Sequence, residues 1–389
     1  MTVQPRTGNW NYPTDISVGI GRIGELPADC DALALRSPLL VTDPGIAALP
    51  MLHEVLAACA NAGLQCTVFS AIRGNPTGGD VHAALDAYRS GGHDGLIAFG
   101  GGSAIDVAKT VALMAGQRRP LWDFIDLGDN WTRAEESGIA TVVAVPTTAG
   151  TGSEVGRAAV ILHEERQEKT LIFHPKMMPA KVILDPVLTV DLPRRLTAAT
   201  GMDALSHNLE AFCSPGFHPM ADGIALQGMR LIKEALPAAV TRGDDLEARL
   251  SMLVASSMGA TAFQKGLGAM HALAHPLGAL YDAHHGLLNA ILMPYVLATN
   301  RESITGKLEV AAAYLGLEEP SYEAFFDWVV RLRRELGIPA TLRDIGIDDR
   351  RQREIGEMAA ADPSAAGNPL PMGSGGYQAL FARAVAGEL

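Results

Sequence analysis

Short apolar runs alternate with longer amphipathic stretches through the first half of the chain. Leu39-Leu40-Val41-Thr42 reads as a strand, 51–63 as a helix, and Cys66-Thr67-Val68-Phe69 as a second strand. A helix over 79–91, a strand at Leu96-Ile97-Ala98-Phe99, a helix over about 103–115 and a strand at Thr141-Val142-Val143-Ala144-Val145 continue the rhythm. Continuous apolar strands between helices predict a parallel sheet covered on its faces. Three more apolar runs at 158–162, 169–173 and 181–184 lie close together without long helices between them, which suggests a local β extension.

The pattern changes near Asp185-Pro186. Ala-, Leu- and Met-rich stretches at helical spacing then cover 197–213, 219–236, 243–262, 268–281, 285–298, 303–315 and 321–336. The reading is an α/β N-terminal domain over residues 1–190 and an all-α C-terminal domain over 191–389. Ala361–Gly376, rich in Pro, Gly, Ser and Asn, reads as a surface loop.

Composition narrows the classes. The 389 residues are 48% hydrophobic, which excludes bulk disorder and permits a large core. Basic residues number 31 and acidic residues 43, a net charge of −12, with no long Lys/Arg run, so a nucleic-acid partner is not expected. No uninterrupted apolar stretch reaches membrane-spanning length, and Met1–Arg6 lacks an apolar signal core. Four cysteines without CxxC spacing fit a reduced, cytoplasmic protein.

Two loops carry candidate ligand chemistry in the first half. The strand at 96–99 runs into Gly100-Gly101-Gly102-Ser103 and then a helix. Glycines permit close backbone approach, and the helix N-terminus offers free N–H groups to a pyrophosphate. Ser103 with Asp106 resembles a capping box. The strand at 141–145 ends in Pro146-Thr147-Thr148-Ala149-Gly150-Thr151-Gly152-Ser153-Glu154, again where ligands of open α/β sheets bind. Asp43 ends another strand, where a carboxylate accepts a ribose 2′-OH and repels a 2′-phosphate; an ordinary turn Asp before Pro44 fits equally. Asn75-Pro76-Thr77 follows the next strand and borders the same edge.

The second half concentrates imidazoles. Of eleven histidines, six fall between 207 and 285. Asp203 and His207 are four apart on one predicted helix, as are His271 and His275, and His284-His285 opens the next. Carboxylate and imidazole groups from facing helices can hold a divalent transition metal, whereas a lone buried histidine is more often a satisfied core residue.

Four ordered segments, GGGSAIDVAK (100–109), PTTAGTGSE (146–154), GMDALSH (201–207) and GLGAMHALAHPLGALYDAHHGLLNA (266–290), resemble the iron-containing, group III alcohol dehydrogenases. That family is similar in type to lactaldehyde reductase, 1,3-propanediol dehydrogenase and 4-hydroxybutyrate dehydrogenase. The resemblance implies a Rossmann-like first domain with a helical second domain, in a dehydroquinate synthase-like architecture. It implies Asp203, His207, His271 and His285 as ligands of Fe²⁺, with Zn²⁺ accepting the same set. His275 is implied as a non-ligand histidine near the nicotinamide, placed for proton relay. The implied cofactor contacts are Asp43, Asn75, Gly100, Gly101, Gly102, Ser103, Asp106, Thr147, Thr148, Thr151, Lys169 and His275, with NAD preferred over NADP. Members are commonly dimers that exchange an N-terminal strand, so a homodimer or higher homo-oligomer is expected.

The expected reaction moves a hydride between NAD(H) and a small primary alcohol or aldehyde, of diol or hydroxy-acid type. The run Ala262-Phe263-Gln264-Lys265-Gly266 is one residue shorter than the family pattern, which puts substrate identity in doubt. Lys265 there is read either as a partner for a substrate carboxylate or as a surface lysine. Three other readings stand beside the dehydrogenase. A dehydroquinate synthase-like lyase matches the Asp203–His207 pair and the 146–154 loop less well. A maleylacetate reductase-like enzyme works without metal. A non-enzymatic metal-binding protein needs neither the glycine loop nor Asp43.

Overall fold

The computed structural model describes residues 8–10 and 14–389. The expected leader-free stretch Met1–Arg6 lies outside the described residues, as do residues 11–13. The chain divides into two compact units, 1–148 with 152–191, and 149–151 with 192–389.

The first unit runs β1 (Gly8–Trp10), β2 (Asp15–Val18), α1 (Leu26–Ala32), β3 (Leu39–Val41), α2 (Pro44–Ala47), α3 (Pro50–Asn61), β4 (Thr67–Phe69), α4 (Gly78–Ser90), β5 (Gly95–Gly100), α5 (Gly102–Met114), β6 (Thr141–Pro146), β7 (Ala158–His163), β8 (Glu168–Phe173) and β9 (Lys181–Leu184). Seven strands form one sheet in the order β1-β2-β9-β6-β5-β3-β4. Every pair is parallel except β1 with β2, which pair within this chain. Leu96–Phe99 and Val143–Val145 are buried on both faces, as expected of central parallel strands. The chain leaves β3 for β4 on one side and returns to β5 on the other. That reversal puts the carboxyl ends of β3 and β5 at a topological switch point, where α/β sheets bind ligands.

The expected local β extension needs correction. β7 and β8 pair antiparallel as a separate two-stranded sheet, while β9 enters the main sheet between β2 and β6. Burial explains the difference. β7 alternates half-buried and buried positions, but Lys181–Leu184 is buried throughout, which suits a strand with neighbours on both sides.

The second unit is helical: α6 (Arg194–Cys213), α7 (Pro219–Thr241), α8 (Leu246–Ala262), α9 (Ala269–Tyr281), α10 (His285–Tyr314), α11 (Tyr322–Glu335), α12 (Gln352–Ala361) and α13 (Ser374–Ala386). The two expected helices at 285–298 and 303–315 are one. Pro294 sits inside α10 and is buried, so packing outweighs the lost N–H bond. α6 is apolar or buried around nearly its whole circumference, as a central helix must be. Glycines admit its neighbours. A Cβ on Gly259 of α8 would lie 3.0 Å from His207 Cβ, and one on Gly286 of α10 would lie 2.6 Å from the Ala199 carbonyl oxygen.

The expected surface loop at 361–376 is exposed or half-buried along nearly its whole length, with two polar side chains as exceptions. It lies between α12 and α13, neither of which the periodicity suggested, and it turns polar groups inward. The Asp362 side chain is 7% exposed and Asn368 is buried. Asn368 bonds Asn300 from both ends of its amide and accepts the Ala269 N–H that opens α9.

Candidate active site

At the switch point of the first unit, Gly100 closes β5 with φ +151°, and a Cβ there would meet Ala104 Cβ at 2.9 Å. Glycine is therefore required for the turn. Gly101 caps α5 without any side-chain bond to the helix. The N–H groups of the first turn consequently have no internal side-chain acceptor, and their dipole favours an anion. The expected capping box does not form: Ser103 Oγ donates to the Gly74 carbonyl at 2.6 Å. Thr147 follows β6, and its N–H bonds the Gly100 carbonyl at 3.0 Å. Thr147 Oγ1 and Thr42 Oγ1 are both buried without a partner. An unmet buried hydroxyl costs about 1–3 kcal/mol, so hydroxyls collected beside a glycine turn suit a polar ligand such as a dinucleotide.

Asp43 stands just beyond β3. Its Oδ1 accepts from the Gly45 and Ile46 N–H groups at 2.8 and 3.0 Å, so it is an N-cap as well as a candidate ribose partner. Thr148 is half-buried beside Gly101. Lys169 on β8 pairs with Leu162, whose N–H donates to Pro76 beside Asn75. These two expected contacts therefore lie on one connected edge. Asp106 differs from expectation. Its carboxylate accepts from Ser153 Oγ and from the Val160 N–H at 2.9 Å, and Lys109 Nζ lies 3.3 Å away. Both oxygens are committed inside the protein, so Asp106 is a clamp under the loop rather than a cofactor contact. Lys109 is fully buried and also donates to the Ser153 carbonyl at 2.9 Å. Burial pushes its ammonium down, against the pull of Asp106 and Glu154.

In the second unit Asp203, His207, His271 and His285 each offer one ligand atom, all within 4.8 Å of one another. α6 supplies the first two, α9 the third and α10 the fourth. Thr151, a further expected cofactor contact, belongs to the 149–151 segment of this unit and is half-buried. His207 Nδ1 donates to the Gly150 carbonyl at 3.1 Å, which leaves the Nε2 lone pair for a metal. His271 Nδ1 meets Glu210 Oε2 at 2.7 Å, with the same consequence for its Nε2. Burial holds His207 down at about 4, so it is neutral at physiological pH. Burial also opposes charge on His271, but Glu210, Asp203 and Asp362 outweigh it and hold this imidazole above its ordinary value. The donor set fits a divalent transition metal: three imidazoles and one carboxylate, with two of the imidazoles held from behind.

His275 lies one turn from His271, and its Nδ1 meets Asp362 Oδ2 at 2.7 Å. Burial works against the Asp362 carboxylate, yet His275 and the Ser364 N–H hold it below its usual range. Its Nε2 is left for other partners. The His284-His285 pair divides: His284 caps α10 through the Leu287 N–H, and only His285 joins the cluster.

Sequence reasoning missed Glu210, Asn289 and Asp362. Glu210 also accepts the Gly268 and Met270 N–H groups at 2.9 and 2.7 Å, so one carboxylate anchors the start of α9 and orients its first histidine. Lys265 fits neither earlier reading. Its side chain is 1% exposed and donates to Asp222 Oδ1 at 2.5 Å and to the Phe212 carbonyl at 3.1 Å. The ammonium is buried and tied to Asp222, whose other oxygen accepts from Lys307 Nζ at 3.0 Å.

A dinucleotide-type loop and a three-histidine, one-carboxylate centre define a metal-dependent oxidoreductase. Residues 13–186 match the family model of iron-containing alcohol dehydrogenases, and 197–385 match that family's C-terminal model. The chain belongs to the iron-containing alcohol dehydrogenase family. It is 38% identical to a 4-hydroxybutyrate dehydrogenase of Cupriavidus necator, covering 95% of this chain and 98% of the relative. It is 33% identical to an NAD-dependent methanol dehydrogenase of Bacillus methanolicus, covering 93% and 95%. Among solved structures, a 1,3-propanediol oxidoreductase matches with a TM-score of 0.89 at 33% identity, over 98% of this chain and all of that one. No described helix is long and apolar enough to cross a membrane.

Proposed function

We propose that the protein interconverts a small primary alcohol and its aldehyde, of diol or hydroxy-acid type, with NAD(H) and a ferrous ion. The observation that carries this reading is the convergence of four ligand atoms within 4.8 Å, with two imidazole tautomers set by Gly150 and Glu210. Asp203, His207, His271 and His285 would hold the ion, which when bound polarises the alcohol oxygen and lowers its pKa. NAD(H), when bound, would supply the hydride acceptor or donor. The free N–H groups of α5 and the Gly100–Ser103 turn would hold the pyrophosphate. The oxygen of Asp43 that does not cap α2 is the candidate acceptor for a ribose hydroxyl, which favours NAD over NADP.

His275 moves the proton. Its Nδ1 is held by Asp362, so Nε2 is the atom that accepts a proton during alcohol oxidation and returns it during aldehyde reduction. Asp362 fixes that tautomer and steadies the imidazolium, as a positioning residue. The hydroxy-acid option draws support from the 4-hydroxybutyrate dehydrogenase relative, and the diol option from the 1,3-propanediol oxidoreductase. A reducing, cytoplasmic setting and homo-oligomeric assembly belong to the same reading; the free cysteines support the first.

The test is a nicotinamide-absorbance screen on protein loaded anaerobically with Fe²⁺. The panel is methanol, 1,2-propanediol, 1,3-propanediol and 4-hydroxybutyrate, each with NAD⁺ and NADP⁺. Turnover confined to NADP⁺ would sink the role given to Asp43. His275→Ala is expected to lower turnover with metal content unchanged; loss of metal would make His275 a ligand instead.

A further inference from the structure

Asn289 lies one turn beyond His285 on α10 and is wholly buried. Its Nδ2 donates to Asp203 Oδ1 at 2.8 Å and lies 3.2 Å from both His271 Nε2 and His285 Nε2. One amide nitrogen therefore touches three of the four candidate ligands. Chemistry fixes its orientation, because the Asp203 carboxylate only accepts. The amide carbonyl consequently faces away and is a buried oxygen with no partner. Buried unsatisfied acceptors are rare in native proteins and call for a reason. Here the structure leaves one polar atom unmet while keeping the donor aimed at the ligands.

Two of the other three candidate ligands have their own supports. Gly150 holds His207 and Glu210 holds His271 from behind. Among the described residues, Asn289 is the hydrogen-bond donor found on the Asp203 carboxylate. An unsupported carboxylate rotates freely and binds an ion through one oxygen or two. A carboxylate with one oxygen tied by an amide has a restricted choice.

We propose that Asn289 is a positioning residue for the metal: it fixes how Asp203 presents its carboxylate and thereby sets the affinity and coordination of the ion. The proposal rests on the metal-site reading above. The amide does no chemistry on substrate. It acts through Asp203, as outer partners of metal ligands do.

The test uses full-length Asn289→Leu, which keeps side-chain volume and removes the donor, with Asn289→Ala as a second variant should the first not fold. Affinity for Co²⁺ is measured by chelator competition, and the visible spectrum of the Co²⁺ form is recorded. Helical circular dichroism and the melting temperature of the metal-free protein report folding. The expected result is an affinity about 10–100-fold weaker and a changed cobalt spectrum, with helicity retained. An affinity within about twofold of the parent and an unchanged spectrum overturn the proposal. So does weaker binding with an unchanged spectrum and a matching fall in metal-free stability, which marks a packing role. Parent protein that binds no divalent ion overturns the metal-site reading itself, which separates the two failures.

Discussion

Gly286→Ala sets the geometry of the site against helix propensity. Gly286 is the second residue of α10, beside His285, and faces α6. Alanine is favoured over glycine by about 1 kcal/mol in a helix interior and by less in a first turn, so propensity alone raises stability slightly. The new Cβ, however, would lie 2.6 Å from the Ala199 carbonyl oxygen and 3.0 Å from Asp203 Cβ. Ordinary contact begins at 3.4 Å, so α10 must retreat by about 3.4 − 2.6 = 0.8 Å. Backbone stands on the α6 side, so no flexible side chain absorbs the shift. Metal–ligand distances tolerate about 0.2 Å, and the retreat carries His285 away from Asp203, now 3.8 Å from its Nε2. Overpacking of this kind costs about 1–3 kcal/mol. The expected outcome is a lower melting temperature despite the propensity gain, and metal affinity at least about tenfold weaker. Differential scanning calorimetry and metal analysis after chelator dialysis measure both. A variant that is more stable than the parent and keeps its ion refutes the close helix contact as the basis of the site.

Three more outcomes follow from the same geometry. Asp362→Asn lowers turnover about 100-fold while metal content stays near the parent level, because its hydrogen bond is to His275 and to no candidate ligand; steady-state rates with metal analysis check it. Lys109→Met strips Asp106 of its buried partner, costs about 3–5 kcal/mol, and weakens NAD⁺ binding by fluorescence titration without changing metal affinity. Metal affinity falls as pH drops, since protons compete for the ligands. On acidification His271, held above its ordinary value, protonates before His207, which burial holds at about 4. Chelator competition between pH 8 and 5.5 shows the fall, and a flat profile contradicts it.

Much of the site was legible because its spacing is periodic. Asp203 with His207 and His271 with His275 sit at i,i+4 in apolar helices, where a polar pair stands out. The glycine triplet after an apolar strand was equally plain. Glu210 and Asn289 left a weaker signal of the same kind: Glu210 lies three residues past His207 and Asn289 four past His285, on the same helix faces. Asp362 and Asn368 left none. Each is followed by proline in a glycine-rich stretch, which reads as solvent-facing, and only tertiary contact turns them inward. β2 was missed because four residues after a proline give no period to count. The division of α10 on paper fell at 299–302, where Thr299-Asn300-Arg301-Glu302 interrupts the apolar pattern, although the helix runs on through it.

The carboxylate behind His275 comes 87 residues later in the chain. Synthesis runs from the N-terminus at about 5–20 residues per second. The last candidate metal ligand, His285, is made 362 − 285 = 77 residues before Asp362, an interval of about 4–15 s at that rate. Every nascent chain thus acquires all four candidate ligands and His275 while still lacking the carboxylate that meets His275 Nδ1. Interrupted translation or proteolytic loss of the final segment leaves a product with the candidate ligands in its sequence and His275 without that partner.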